Sequence, residues 1–427
     1  MKKRVVITGI GVVSPLGCDL KTTWKSMLKG ESGVGTITLF DASTFPCRIA
    51  AEVKGFDIKS FLIDEELLKF LSQGAQFGVA AAQMAMIDAK LALGHYQSNR
   101  IGISIGCSGS RPSLESLALT YHAMVNSCGD IIFPAVDPVS VIAWSPHSGA
   151  SIIALLANAN GPNNVVSTAC SSSSQAIGTA LRMVQQGVTD MVITGGYDSM
   201  ISEVDIIGFS LLGALSTRNE EPQKASRPFD RKRDGFVIGE GATIMILENL
   251  SCAVARGVKI YAELVGFGCS LNDYSIVDSP LDGRGAVEAM ERALSDANLK
   301  PSAVHYINAH GTSTPTNDVS ETTAIKRVFG EYAYRLPISS TKSMTGHLIS
   351  ATGALELAVC VLSLKEGIIP PTINYEYEDA KCDLHYVPNK PIEAEVKVAM
   401  SNSFAFGGSN SCLIVKRYDG TNDGYRV

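Results

Sequence analysis

Side chains fit for covalent chemistry gather in four short stretches. In the first, Val165-Val166-Ser167-Thr168-Ala169-Cys170-Ser171-Ser172 leads a β-branched pair into small residues. Ala176, Ile177, Ala180, Leu181 and Val184 follow at helical spacing. Cys170 thus sits where a strand hands over to a helix, among amides with no intrahelical partner and at the positive end of a dipole. That placement predicts a lowered thiol pKa, hence a nucleophilic thiolate, with backbone N–H groups at hand for an oxyanion. A buried, inert cysteine fits the same turn, so the other stretches decide. Asn308-Ala309-His310-Gly311-Thr312-Ser313-Thr314 puts a histidine at a strand end, and Ser340-Thr341-Lys342-Ser343-Met344-Thr345-Gly346-His347 adds a lysine and a second histidine. Asn402-Ser403-Phe404-Ala405-Phe406-Gly407-Gly408-Ser409 is a loop with two aromatics and free amides. One histidine at a strand end is usually structural, and so read the other five; a Cys, two His and a Lys at turns of matching halves point to a catalytic site.

The elements that must position these groups follow from apolar spacing. Strands are expected at residues 4–8, 100–106, 190–195, 242–248, 259–268, 304–308, 336–339, 396–401 and 411–416, besides the one leading into Cys170. Helices are expected around Trp24 and Leu28, and over 64–93, 148–158, 285–299 and 348–365. Gly9-Ile10-Gly11 reads as a turn; it lacks the full spacing of a dinucleotide loop. Residues 107–147 read as an irregular wall or lid, 249–258 as a connection, and the Arg- and Asp-rich block at 215–241 as structural ion pairs. Val166-Ser167-Thr168-Ala169-Cys170 before Ala176-Ile177-Gly178 parallels Ile338-Ser339-Ser340-Thr341-Lys342 before Ala351-Thr352-Gly353. Strand, Ser-Thr, small turn and Gly-bearing helix recur half a chain apart, the trace of an internal duplication. The division is expected near residue 250, giving halves 1–250 and 251–427, with matching strand ends meeting where α/β sheets place their sites.

Composition narrows the function. With 427 residues, 45% hydrophobic and 18% charged, the chain is long enough for two domains or one large duplicated core. A net charge of −6 and the lack of a long basic run argue against nucleic acid. Ten scattered cysteines with no CxxC pair predict reduced cytosolic thiols and no structural metal. The basic start at residues 2–4 imitates a secretory signal, but Gly9, Gly11 and Pro15 break the apolar part at once. No apolar run reaches membrane-spanning length, so a cytoplasmic protein is expected.

From Val5-Val6-Ile7-Thr8-Gly9 to Gly407-Gly408 the chain resembles the β-ketoacyl-acyl-carrier-protein synthases of the KAS I/KAS II type, type II polyketide ketosynthases included. The resemblance implies an α/β thiolase-like fold of two duplicated halves in a layered αβαβα core. It implies a decarboxylative Claisen condensation in two stages, with catalytic Cys170, His310, His347 and Lys342. Cys170 takes an acyl group from an acyl-carrier-protein thioester, with the amides of Cys170 and Phe406 as oxyanion hole. His310 and His347 stabilise the enolate formed when malonyl-carrier protein loses carbon dioxide. Glu356 matches the carboxylate that pairs with Lys342, and Asp318 and Glu321 the acidic network behind His310. Phe406 matches an aromatic gate; Thr312, Thr314, Phe404 and Gly407 fall in the substrate-binding set. No metal or cofactor is implied beyond the carrier's phosphopantetheine. The partners implied are acyl carrier protein and either a second copy or a chain-length-factor-like paralogue.

Departures from the family's pattern bear on the substrate. Cys107-Ser108-Gly109-Ser110-Arg111-Pro112-Ser113 replaces a Gly-rich segment, and the wall at 133–147, with Trp144, has unusual wording. Ala405 stands between the loop aromatics where Gly is usual, and Asp64, Glu65 and Glu66, with only Lys69, occupy a region often basic for carrier docking. These features tilt the reading toward a type II polyketide or other specialised pathway, with housekeeping KAS II elongation as the alternative. A non-condensing, chain-length-factor-like binding subunit is the rival of another class; it would leave Cys170 idle.

Overall fold

Val5–Val13 (β1) is a nine-residue strand buried along its whole length, in a computed structural model that describes all residues except 1, 62–63, 127–137 and 421–427. The turn expected at Gly9-Ile10-Gly11 is therefore strand. The glycines serve close packing instead. A Cβ on Gly9 would lie 2.2 Å from the Ala85 carbonyl oxygen and one on Gly11 2.0 Å from that of Ala81. Both carbonyls belong to the alanine-rich helix Gln73–Asp88 (α1), which lies directly on β1.

Nine more strands complete one mixed sheet: Ile101–Gly106 (β2), Asn163–Val166 (β3), Met191–Asp198 (β4), Gly241–Asn249 (β5), Ala262–Leu271 (β6), Tyr306–Asn308 (β7), Ile338–Ser339 (β8), Val398–Phe404 (β9) and Ser409–Lys416 (β10). Their order is β8-β7-β9-β10-β6-β1-β5-β4-β2-β3. Read outward from the β6/β1 seam, the two sides follow the same sequence of chain positions: first, fifth, fourth, second, third. β1 pairs antiparallel with β5 as β6 does with β10, and β2 runs parallel to β3 and β4 as β7 does to β8 and β9.

Helices build the layers. Ser172–Gln185 (α2) and Thr352–Glu366 (α5) touch each other and strands from both sides of the seam, while α1 and Arg284–Ala297 (α3) each cover an outer face. Residues 352–364 of α5 are all buried, as a helix packed from every side must be. This is the layered αβαβα, thiolase-like architecture, with helix Pro315–Phe329 (α4) packed on α3.

Several boundaries differ from the sequence reading. The expected helix over 64–93 is two, Glu65–Leu68 and α1, and the expected connection at 249–258 holds helix Leu250–Arg256, capped by Asn249. The stretch 107–147 contains helices Leu114–Asn126 and Pro138–Trp144; part of the predicted wall lies outside the described residues. The turn at Lys342 is a one-turn helix, Lys342–Thr345, and α4 and Glu203–Leu211 were not expected.

Candidate active site

Two short 3-10 turns face each other at the heart of the molecule, Ala169–Ser171 leading into α2 and Ile349–Ala351 leading into α5. Each begins on a non-glycine residue with positive φ, Ala169 at 49° and Ile349 at 46°. Left-handed backbone costs such residues about 1–2 kcal/mol, which the surrounding packing must offset. The duplicated turns thus place Ser350 where the first half has Cys170. They also show what the second half adds: between β8 and its turn lies an inserted segment carrying Lys342 and His347.

Cys170 is 5% exposed. Burial pushes its thiol up to about 11, against the pull of the Lys342 ammonium and of the Phe406 and Cys170 N–H groups directed at the sulfur. The lowered thiol pKa expected from the helix start is therefore corrected: removal from water outweighs the dipole. The two amides on Sγ form the pair assigned to the oxyanion. Gly407, next in the chain after Phe406, has φ 78°, and its N–H reaches the Ile276 carbonyl at 2.6 Å.

Sγ of Cys170 and one ring nitrogen from each of His310 and His347 lie within 4.8 Å of one another. The imidazoles meet edge to face, centroids 5.4 Å apart. Both rings are held well below the ordinary histidine pKa, chiefly by burial and then by the Lys342 charge, so both are neutral at physiological pH. Nδ1 of His310 and Nε2 of His347 are buried without a hydrogen-bond partner.

Acidic residues support the loop from behind. Glu321 on α4 accepts from the His310 and Gly311 amides at 2.8 and 2.7 Å and from Asn402 at 3.1 Å; burial still lifts its carboxyl to about 7. Asp318, one turn earlier, accepts from the Thr312 and Phe229 amides at 3.0 and 2.7 Å, with Arg233 3.6 Å away. Lys342 Nζ lies 2.5 Å from Glu356 Oε1, both side chains buried, and burial raises the Glu356 carboxyl to about 8 against the pull of Lys342.

A cavity of about 230 Å³ opens onto this group. Cys170, His310 and His347 line it with Thr312, Thr314, Phe404 and Phe406; Gly407 does not. Thr312 and Thr314 share a 2.8 Å hydroxyl contact. Sequence reasoning missed part of the wall, Phe236 and Val277 to Ser279, none of which lies in a stretch read as reactive. It also missed Asp198 at the end of β4, which accepts from the Ser350 amide at 3.1 Å and is raised to about 6 by burial. In the charged stretch at 64–69, Glu65 pairs with Lys59 at 3.2 Å and Glu66 with Lys69.

Comparisons with known proteins cover nearly the whole chain. The family model described as "Beta-ketoacyl synthase, N-terminal domain" matches residues 2–253, and "Beta-ketoacyl synthase, C-terminal domain" matches 261–376. The 3-oxoacyl-[acyl-carrier-protein] synthase 2 of Synechocystis sp. is 45% identical over 419 residues, 98% of this chain and 99% of that protein. That of Coxiella burnetii is 43% identical over 417 residues, 97% and 99%. A type II polyketide ketosynthase solved with its acyl-carrier protein superposes with a TM-score of 0.87 at 34% identity, over 98% of this chain and 100% of that one. The ishigamide ketosynthase/chain length factor gives 0.88 at 32%, over 98% and 100%.

Proposed function

The chain belongs to the β-ketoacyl synthase family and is an acyltransferase of the ketosynthase kind, and from that footing we propose that it condenses malonyl-carrier protein with an acyl chain held on Cys170. One observation carries the reading: a cysteine sulfur under two amides, with two neutral histidines within 4.8 Å of it and each other, at the end of a cavity. Cys170 Sγ attacks the acyl thioester; the C–S bond to the carrier breaks, and the thiol proton leaves on the carrier's thiol. The high pKa of Cys170 is tolerable here because one thiol replaces another and no net proton is consumed. In the second stage the malonyl C–C bond breaks and its electron pair enters the thioester as an enolate, to which His347 Nε2–H and His310 lend hydrogen bonds. Carbon dioxide leaves, the enolate carbon attacks the acyl-Cys170 carbonyl, the oxyanion rests on the Cys170 and Phe406 amides, and the C–S bond breaks to release the thiolate, which takes a proton from water to restore the thiol.

Decarboxylation itself generates the carbanion, so the reading calls for no metal or redox cofactor. Cys170 and the two histidines could ligate a cation. The buried thiol at about 11 and the Lys342 charge felt at all three side chains both work against one. We take residues 1–250 and 251–427 as the two halves, the first supplying the nucleophile and the second the histidines and Lys342. Among the described residues no helix is long and apolar enough to cross a membrane, and we place the enzyme in the cytoplasm.

The departures in sequence tilted the pathway toward polyketides; the relatives, at 41–45% identity over nearly their whole length, favour the elongating synthase 2 type, and we adopt it. The partners are then an acyl carrier protein and a second copy of the chain. A type II polyketide role beside a chain-length-factor-like subunit is the second reading, favoured by the solved ketosynthases that superpose on it. Intact-mass spectrometry after incubation with saturated acyl-carrier proteins of graded length separates the two. Elongation predicts an acyl adduct on the chain alone, absent in Cys170→Ala. An adduct that forms only with a co-purified paralogue overturns the choice, and no adduct under either condition overturns the ketosynthase reading.

A further inference from the structure

Thr352 opens α5 with its side chain buried, and its hydroxyl does not cap the helix, which has no side-chain cap. Its Oγ1 lies 2.9 Å from His347 Nδ1. The same ring nitrogen receives the backbone N–H of Ile349 at 3.3 Å. A peptide N–H can only donate, so Nδ1 is the acceptor and Thr352 must donate to it as well. The neutral ring then carries its proton on Nε2, the nitrogen left without a protein partner beside Cys170 and His310. Ser172, at the matching position of the first half, spends its hydroxyl on its own turn, bonding the Thr168 amide at 2.9 Å and the Ala169 carbonyl at 2.6 Å.

We propose that Thr352 is a positioning residue for His347: its hydroxyl holds the imidazole in the Nε2–H tautomer and polarises that N–H toward a substrate oxyanion. The inference rests on the ketosynthase reading for its consequence, but the tautomer belongs to the resting protein. Two donors on Nδ1 also leave no lone pair for a proton, so the ring resists becoming imidazolium. The titratable groups that face it are Cys170 from the turn before α2, His310 from the loop after β7, Lys342 from its own segment and, through Lys342, Glu356 on α5.

The test is two-bond ¹H–¹⁵N correlation on ¹⁵N-histidine-labelled wild type, Thr352→Ser and Thr352→Val, with His347→Gln to assign the ring, alongside rates of malonyl-carrier decarboxylation. The expected result is a pure Nε2–H pattern in wild type and Thr352→Ser. In Thr352→Val only the longer Ile349 N–H contact at 3.3 Å remains on Nδ1, so an Nδ1–H fraction should appear beside the Nε2–H form and kcat fall about 10-fold, the loss of one hydrogen bond, with KM little changed. An Nδ1–H pattern in wild type overturns the proposal, as does a Thr352→Val protein with both tautomer and kcat unaltered. If Thr352→Val does not fold, Thr352→Ala takes its place with the same expectations. Should no variant, wild type included, decarboxylate while the tautomer still depends on Thr352, the ketosynthase reading fails and the positioning role stands.

Discussion

At the scale of single residues, Cys170 is the proposed nucleophile, its thiol made reluctant by burial and more usable by the Lys342 charge. A thiol near 11 is mostly protonated at neutral pH, so its thiolate fraction grows about tenfold per pH unit. Alkylation of Cys170 by iodoacetamide is expected to climb through pH 7–9 without a plateau; a plateau near pH 7 would mean an activated thiolate of the kind the helix start suggested. Lys342→Met should slow alkylation at every pH, since the Lys342 charge pulls the thiol pKa down. Cys170, His310, Lys342 and His347 were legible because reactive side chains stood among glycines, threonines and serines that had no packing reason to surround them. The thiol's pKa was not legible, because desolvation depends on what the other half lays over the turn. Thr352 was equally hidden, for nothing in Ala351-Thr352-Gly353 says that a hydroxyl meets a ring five residues back.

At the scale of elements, glycines set distances that side chains then exploit. Gly11→Ala would drive a Cβ into the carbonyl of Ala81 on α1, a backbone that cannot swing aside. The expected loss is about 1–3 kcal/mol or more in urea unfolding, with acylation of the surviving folded enzyme unchanged. Gly407→Ala is the contrasting case. No atom lies within 4 Å of its added Cβ, so only the φ of 78° opposes it, costing about 1 kcal/mol. Its functional effect should be larger than its effect on stability, because the shifted loop withdraws the Phe406 amide from Cys170; acylation kinetics beside urea midpoints measure the two. The two glycines made Gly9-Ile10-Gly11 read as a turn, since a glycine kept for helix contact and one kept for a bend read alike in a single sequence. Helix Leu250–Arg256 was missed for its brevity, and α4 because Pro315 and its polar face hid a buried side at Asp318, Glu321 and Ile325.

For the whole molecule, the duplication is what joins cysteine to histidines. Two turns of the same design face each other, one bearing Cys170 and the other Ser350, and the inserted segment before the second delivers Lys342 and His347. The repeat was visible as Ser-Thr before a Gly-bearing helix in each half, but the pairing across the seam needed the strand order. The buried titratable groups also shape global stability. His310 and His347 stay neutral in the fold, so below pH 6.5 the unfolded chain binds protons that the fold refuses, and that contribution to stability is lost as pH falls. Asp198 and Glu321, raised to about 6 and 7, act in the opposite sense, their contribution being gained as pH falls through those values. His347→Gln should gain about 1.4 kcal/mol per pH unit over wild type on acidification below pH 6.5, read from urea midpoints. We propose that one cysteine and two neutral histidines perform both stages of a decarboxylative condensation. The most direct test is a chase: acyl-loaded enzyme, freed of donor, is mixed with malonyl-carrier protein, and carbon dioxide, enzyme mass and carrier mass are followed together. Each acyl group leaving Cys170 is expected on the carrier as a β-ketoacyl chain with one carbon dioxide released. Acyl loss by hydrolysis, with malonyl-carrier protein untouched, would contradict it.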